Sequence, residues 1–215
     1  MIHIIISVDP STKFLYGIID FLNSKAIKFN LIEIHATDES YEIAKRTISN
    51  IAKGSNILFL GHGRDDKIYG GENLPLYEKK SLASREEMKI FEAQKIFILA
   101  CNSSDLLKST FILSKYQKAI GFGGLPTSEE EIEVDKKLSL IGISTETISK
   151  FKDAIIDTVS KALLTYLEKD GNDFHYLKDY LVLLIDRRIN IAVLQEKDRN
   201  LGDLLFNMRN EISLY

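Results

Sequence analysis

Two stretches of the sequence decide the fold: residues 56–63 read NILFLGHG and residues 95–103 read KIFILACNS. Each begins with a continuous apolar run of strand length, which is typical of strands buried on both faces of a parallel sheet. Each run ends in small residues and one reactive side chain, His62 in the first stretch and Cys101 in the second. Because ligands and catalytic groups of an open α/β sheet gather at the carboxyl ends of its strands, we expect the functional site at this edge.

Apolar runs and amphipathic stretches alternate on either side of this pair. The pattern predicts further strands at residues 2–8, 27–35 and 119–122, and helices at residues 11–24, 38–53, 84–94 and 105–115. Ser11 and Asp38 are the predicted N-caps of the first two helices, and Ser84 with Glu87 forms a predicted capping box. The alternation indicates a three-layer α/β fold with a mostly parallel central sheet.

The segments outside these elements are harder to assign. A polar, glycine-rich segment after His62 allows a small hairpin around Gly70 and Gly71. The last third of the chain is mainly helical by its pattern, with long segments at 148–168 and 177–189, while residues 190–195 fit a late strand or a helix end. We expect a single domain, residues 1–215, with its core at about 1–125 and a helical C-terminal part at about 145–215.

Composition narrows the class of protein. The net charge is −3, so we expect neither a nucleic-acid partner nor a membrane partner, since both need a basic surface. The single cysteine cannot form an intramolecular disulfide, and no Cys/His cluster has zinc-site spacing, so we expect no metal and no cofactor. The sequence also lacks a signal-peptide pattern and an apolar stretch of membrane-spanning length, which favours the cytoplasm.

His62 and Cys101 together have the chemistry of nucleophilic catalysis. If their strands are parallel neighbours, the two residues lie one interstrand spacing apart, roughly 5 Å. A nearby imidazole raises the population of the thiolate, which is the attacking species. Gly63 lets a substrate carbonyl approach the main chain, so the N–H groups of Gly63 and Cys101 are the candidate oxyanion hole.

The order of these pieces resembles the caspase-like cysteine peptidases, a group that includes caspases, metacaspases, gingipains, separase and bacterial CHAT domains. The matching segments are residues 57–63 (ILFLGHG) and 96–103 (IFILACNS), and the resemblance covers about residues 1–125. It implies that His62 acts as general base and then general acid, and that Cys101 attacks a peptide carbonyl. The caspase signature Q-A-C-[RQG]-G is absent, because Leu99 and Asn102 replace its first and fourth residues, so aspartate specificity does not transfer.

Acidic residues crowd the predicted rim of the site. Asp65 and Asp66 follow His-Gly, Asp105 follows Cys101, and residues 129–131 are all glutamate. A carboxylate pocket favours Arg or Lys at the cleaved position. We therefore expect a protein or peptide substrate that is cut after a basic residue, with Asp65, Asp66 and Asp105 as substrate-binding residues.

Other functions stay open at this point. A catalytically inactive module of the same fold, which binds a regulatory protein partner, and another Cys–His acyl-transfer enzyme would both fit these residues. A receiver domain is disfavoured because the third and fifth strands end in Gly-His-Gly and Gly-Phe-Gly, and an α/β-hydrolase because no G-x-S-x-G motif occurs. The sequence does not assign the third group that orients His62.

Overall fold

A computed structural model describes residues 2–128, 131–132, 142–169 and 171–215. The strands are β1 (Ile2–Ser7), β2 (Phe29–Ile34), β3 (Asn56–Leu60), β4 (Gly63–Arg64), β5 (Lys67–Tyr69), β6 (Ser81–Ser84), β7 (Lys95–Leu99), β8 (Lys118–Gly121) and β9 (Ser213–Leu214). The α-helices are α1 (Tyr16–Ser24), α2 (Asp38–Ser49), α3 (Ser103–Ser114), α4 (Thr145–Glu168), α5 (Phe174–Asn190) and α6 (Arg199–Asn210). No helix among the described residues is long and apolar enough to cross a bilayer.

The main sheet has six strands in the order β2-β1-β3-β7-β8-β9. Its first five strands are parallel, and β9 alone pairs antiparallel, with β8. The predicted α/β class, with a mostly parallel sheet and a helical C-terminal part, is confirmed. The short strand β9 was not expected, because two residues carry no periodicity; the sheet edge holds it through paired backbone hydrogen bonds between Ala119 and Tyr215, at 2.9 and 2.8 Å.

Both faces of the sheet are covered, as its unbroken apolar runs predict. In β1, Ile4 and Ile6 belong to one core cluster and Ile5 to the other. The first cluster contains side chains of α1, α4, α5 and α6, and the second contains side chains of α2 and α3. Each fully buried isoleucine of this kind contributes about 1.5–3 kcal/mol of burial free energy. The C-terminal helices therefore complete one side of the core.

The glycine-rich segment after β3 contains the predicted antiparallel pairing, but its tightest turn lies between β4 and β5, at Asp65 and Asp66. Strand β5 also pairs antiparallel with β6, and the connection between these two strands begins at Gly70 and Gly71. Both glycines pack against the ends of β1 and β2. A Cβ atom on Gly71 would lie 2.4 Å from the Val8 carbonyl oxygen, so only glycine allows this close approach. The two glycines therefore open the connection between β5 and β6 and also allow close packing, and both uses favour the same residue type.

The predicted helix at residues 84–94 is also wrong. Ser84 ends β6, and only a single 3₁₀ turn forms after it, at Met88–Phe91. Half of the predicted capping box is present, since the Ser84 N–H donates to Glu87 Oε2 at 2.9 Å. The segment then stops at Ala93, whose φ of 59° is in the left-handed region and ends helical propagation.

Two predicted N-caps also have other roles. Thr37, one residue before Asp38, caps α2 by accepting a hydrogen bond from the Ser40 N–H at 3.2 Å. Ser11 does not cap a helix; a 3₁₀ turn at Lys13–Leu15 precedes α1, and Ser11 bonds within the site described below. Residues 190–195, left open by the sequence, continue α5 as a π-helical turn, Ile191–Gln195.

Candidate active site

The carboxyl ends of β3 and β7 bring His62 and Cys101 together. The two strands are parallel neighbours with Leu60 opposite Leu99, so His62 and Cys101 follow their strands at matching positions. Both side chains line one cavity of about 30 Å³, which has room for about one water molecule. The two reactive side chains therefore meet in a confined space at the sheet edge.

Asp9 is the functional residue that sequence reasoning missed. It follows β1, the other neighbour of β3, and its Oδ2 lies 3.1 Å from His62 Nε2. Its Oδ1 accepts hydrogen bonds from the Ser11 N–H at 3.0 Å, the Ser11 hydroxyl at 2.6 Å and the Thr12 N–H at 3.1 Å. The available signal was the position of an aspartate directly after a strand that was predicted to be buried.

These contacts decide the charge of Asp9 and the tautomer of His62. Burial alone would raise the pKa of the Asp9 carboxyl, but hydrogen bonds from His62 and Ser11 outweigh it and lower the pKa to about 2. An ionised carboxylate only accepts hydrogen bonds, so the His62 nitrogen facing it, Nε2, carries the proton. The lone pair of the neutral ring is therefore on Nδ1, which is the nitrogen able to act as a base.

Cys101 is held away from His62 in this arrangement. Its Sγ donates to the Leu125 carbonyl oxygen at 3.3 Å, and no hydrogen bond among the described residues joins it to the imidazole. Burial, and then the charge of Glu131, raises the pKa of the thiol to about 12. The structure therefore describes a neutral thiol bonded to a carbonyl, whereas a dyad favours the thiolate.

Three residues, Leu125, Thr127 and Glu131, lie on the thiol side of the cavity. Glu131 Oε2 accepts from the Thr127 N–H at 2.7 Å and from the Thr127 hydroxyl at 3.2 Å. Leu125, Thr127 and Glu131 all line the cavity. The neighbouring Glu129 and Glu130, which the sequence also placed at the rim, lie outside the described residues. Of the rim carboxylates that the structure describes, Glu131 is the one that lines the cavity.

A sharp turn at Asn102 leads from Cys101 directly into α3. Asn102 has φ 54° and ψ 20°, in the left-handed region that asparagine tolerates better than most residues, and α3 begins at the next position. The partial positive charge of the α3 N-terminus therefore lies beside Cys101. Within the described part of the chain, the Cys101 N–H donates to no other residue, so it is available to a ligand.

Gly63 lies against the Cys101 turn. A Cβ atom at Gly63 would sit 2.7 Å from the Cys101 carbonyl oxygen and 3.0 Å from the Ala100 Cβ. A side chain would push the two loops apart, so the glycine sets the spacing between the two candidate oxyanion donors.

The three predicted substrate-binding aspartates lie elsewhere on the surface. Asp65 and Asp66 form the turn between β4 and β5 and pair with Arg85 at 3.4 Å and Lys67 at 3.2 Å, respectively. Asp105 is exposed in the first turn of α3. None of these three described residues lines the cavity that contains Cys101, and their part in substrate binding stays a prediction.

Glu72 lies close to the Asp9–His62 pair. One donor atom each from Asp9, His62 and Glu72 falls within 4.8 Å of the others. Glu72 Oε1 also forms an ion pair with Lys79 Nζ at 3.1 Å. No sequence pattern indicates this group, because the three positions have no motif spacing and come together only in the tertiary structure.

No protein-family model matches the sequence, and a search of curated proteins finds no significantly similar sequence. The resemblance to caspase-like peptidases therefore depends on the quoted sequence motifs alone.

Proposed function

We propose that the protein is a caspase-like cysteine peptidase in which Cys101 is the nucleophile, His62 the general base and acid, and Asp9 a positioning residue. One observation carries the proposal. His62 and Cys101 follow neighbouring parallel strands, they line one cavity, and a buried carboxylate faces Nε2 of the imidazole, which leaves Nδ1 as its basic nitrogen. A nucleophile, a base and a group that orients the base are the three components of a catalytic triad.

The proposed reaction begins when the Cys101 thiol passes its proton to His62 Nδ1 as the sulfur attacks the peptide carbonyl carbon. The N–H groups of Gly63 and Cys101 stabilise the negative charge on the carbonyl oxygen. The imidazolium, held by Asp9, returns the proton to the leaving amine, and the C–N bond breaks. His62 then takes a proton from water, which attacks the thioester and releases the acid and the free thiol.

Catalysis requires a local change around the thiol. The Cys101 Sγ must leave the Leu125 carbonyl, to which it now donates at 3.3 Å, and turn towards Nδ1 of His62. The cavity of about 30 Å³ has room for about one water molecule and is too small for a peptide side chain. We infer that substrate or an activating partner moves Leu125 and Thr127 away from this side of the cavity, while Glu131 stays at the rim.

A basic residue at the cleaved position is the proposed substrate preference. Glu131 supports it, because this carboxylate lines the cavity with Cys101. An Arg or Lys side chain entering the cavity would meet that charge and would take over the role that the Thr127 donors now have. Asp65, Asp66 and Asp105 would act only on more distant parts of a substrate.

A catalytically inactive interaction module is the second candidate function. The bond of Cys101 to Leu125 and the raised pKa of its thiol favour this alternative, because a structural cysteine shows the same features. The module predicts that Cys101→Ala changes local packing alone.

Hydrolysis of matched fluorogenic peptides tests the proposal. The peptides differ only at the cleaved position, which is Lys, Arg, Asp or Leu, and the proteins are wild type, Cys101→Ala and His62→Ala. We expect wild type to cleave the Lys and Arg peptides best, and both variants to lose at least about 100-fold in rate. Cleavage that survives Cys101→Ala would contradict the mechanism. No cleavage of any peptide by wild type would favour the inactive module.

A further inference from the structure

Three side chains that can bind a metal ion lie close together: Asp9, His62 and Glu72. Asp9 Oδ2 and His62 Nε2 are 3.1 Å apart, and one donor atom each of Asp9, His62 and Glu72 lies within 4.8 Å of the others. All three side chains are well shielded: the Asp9 side chain is 0% exposed, His62 19% and Glu72 17%. The cluster is on the opposite ring nitrogen from the one that the proposed peptidase uses.

The backbone fixes Glu72 in this place. Gly71, the preceding residue, donates its N–H to the Ile34 carbonyl at 3.1 Å and accepts from the Tyr41 hydroxyl at 3.0 Å. A Cβ at Gly71 would lie 2.4 Å from the Val8 carbonyl oxygen, so the chain here lies directly on the ends of β1 and β2. Glu72 is therefore presented to the Asp9–His62 pair from a rigid support.

We propose that Asp9, His62 and Glu72 form a binding site for a divalent transition-metal ion, with Zn²⁺ as the ion that fits best. One imidazole and two carboxylates are zinc ligands, and three protein ligands leave a fourth position for water. In a tetrahedral site with bonds of about 2.0–2.1 Å, neighbouring donors are about 3.3–3.4 Å apart. The Asp9–His62 pair already has nearly this separation, and the terminal carboxylate of Glu72 completes the site by a side-chain movement.

The cluster already binds a cationic group. Lys79 Nζ lies 3.1 Å from Glu72 Oε1, so an ammonium occupies one side of the carboxylate. Two carboxylates balance the charge of a divalent ion, whereas one ammonium leaves a net negative charge. Zn²⁺ therefore replaces Lys79 as the partner of Glu72, and Lys79 competes with the metal for it.

Zinc binding would switch off the imidazole as a base. A neutral imidazole that binds a metal through Nε2 carries its proton on Nδ1, so it has no lone pair left for the thiol proton. The ion would thus inhibit Cys101 chemistry without touching the sulfur. This consequence depends on the proposed peptidase function, but the binding of the metal does not.

Isothermal titration calorimetry with ZnCl₂, on wild-type protein freed of metal with a chelator, tests the binding. We expect one ion per chain. Glu72→Gln, a conservative change of a partly exposed residue, weakens binding by at least about tenfold, and Lys79→Met strengthens it. His62→Ala abolishes binding, while the exposed residues Glu78 and His175 provide matched controls, Glu78→Gln and His175→Ala, that bind as wild type does.

Cys101→Ala separates this site from a thiolate site. We expect the variant to bind Zn²⁺ as wild type does, and CoCl₂ to give d–d absorption without a thiolate charge-transfer band in wild type. Absence of one-to-one binding, binding that is unchanged in Glu72→Gln and His62→Ala, or binding lost in Cys101→Ala would overturn the proposal. Calorimetry needs no peptidase activity, so a failed peptidase assay with intact zinc binding would refute only the proposed function.

Discussion

Alkylation of Cys101 measures directly how tightly the fold restrains the thiol. Burial and Glu131 raise the pKa of this thiol from an ordinary value of 9.0 to about 12, a difference of about three. At pH 8 the thiolate population in the folded protein is then about 1000-fold lower than in an unfolded chain. A more basic thiolate is intrinsically more nucleophilic. For a Brønsted coefficient of 0.4–0.5, the rate constant of the thiolate rises by about 16–30-fold, which offsets part of the loss in its population. We expect the folded protein to react about 30–60-fold more slowly, and restricted access slows it further.

The assay is the rate of iodoacetamide addition, followed by intact mass, for folded protein and for protein in guanidinium chloride. The signal belongs to one residue because the chain has a single cysteine. Glu131→Gln removes the second cause of the raised pKa and leaves burial, so we expect a rate between those of the folded and unfolded wild type. Glu78→Gln, an exposed glutamate, is the matched control. Equal rates in the folded and unfolded wild-type protein would refute the description of a neutral, buried thiol.

The other predictions test the supports of the site. Asp9→Asn should lower peptide cleavage by about 10²–10⁴-fold, because the neutral amide no longer fixes the His62 tautomer; the measured quantity is kcat, and a change in KM alone would contradict a positioning role. Gly63→Ala should destabilise the fold by about 1–3 kcal/mol in urea unfolding, because its Cβ would lie 2.7 Å from a backbone oxygen. Gly124→Ala, which meets open space, is its control, and equal effects would contradict the close approach. Asn102→Val should reduce the unfolding free energy by about 1–2 kcal/mol, while Asn102→Gly should not, because φ is 54°; similar losses would count against backbone strain.

Sequence patterns predicted the sheet well because strands that are buried on both faces have runs of apolar residues. Residues 4–6 of β1, 57–60 of β3 and 96–99 of β7 are all apolar and buried, and these strands lie side by side at the centre of the sheet. Loops and short elements have no comparable pattern of apolar residues. The sequence predicted a turn at Gly70 and Gly71. The tertiary structure shows in addition that these glycines allow two backbone segments to pack closely together.

The candidate site was predictable in part for the same reason. His62 and Cys101 directly follow recognisable strands, so their common edge could be inferred from parallel pairing. Asp9 could have been included, since it follows β1 in the same way, but its partner is 53 positions away in the sequence. The bond between Cys101 and Leu125, and the meeting of Glu72 with Asp9, depend on loops without periodicity, so no pattern indicates them.

Covalent labelling with a peptide electrophile tests the central claim most directly. A peptidyl acyloxymethyl ketone with Lys at the recognition position is incubated with wild type and with His62→Ala, and intact mass gives the labelling rate relative to that of iodoacetamide. We predict one adduct at Cys101. The ratio of the ketone labelling rate to the iodoacetamide rate should be far higher in folded wild type than in the unfolded chain, and this ratio should fall by about 100-fold or more in His62→Ala. Equal ratios in wild type, His62→Ala and unfolded protein would contradict a Cys–His peptidase site.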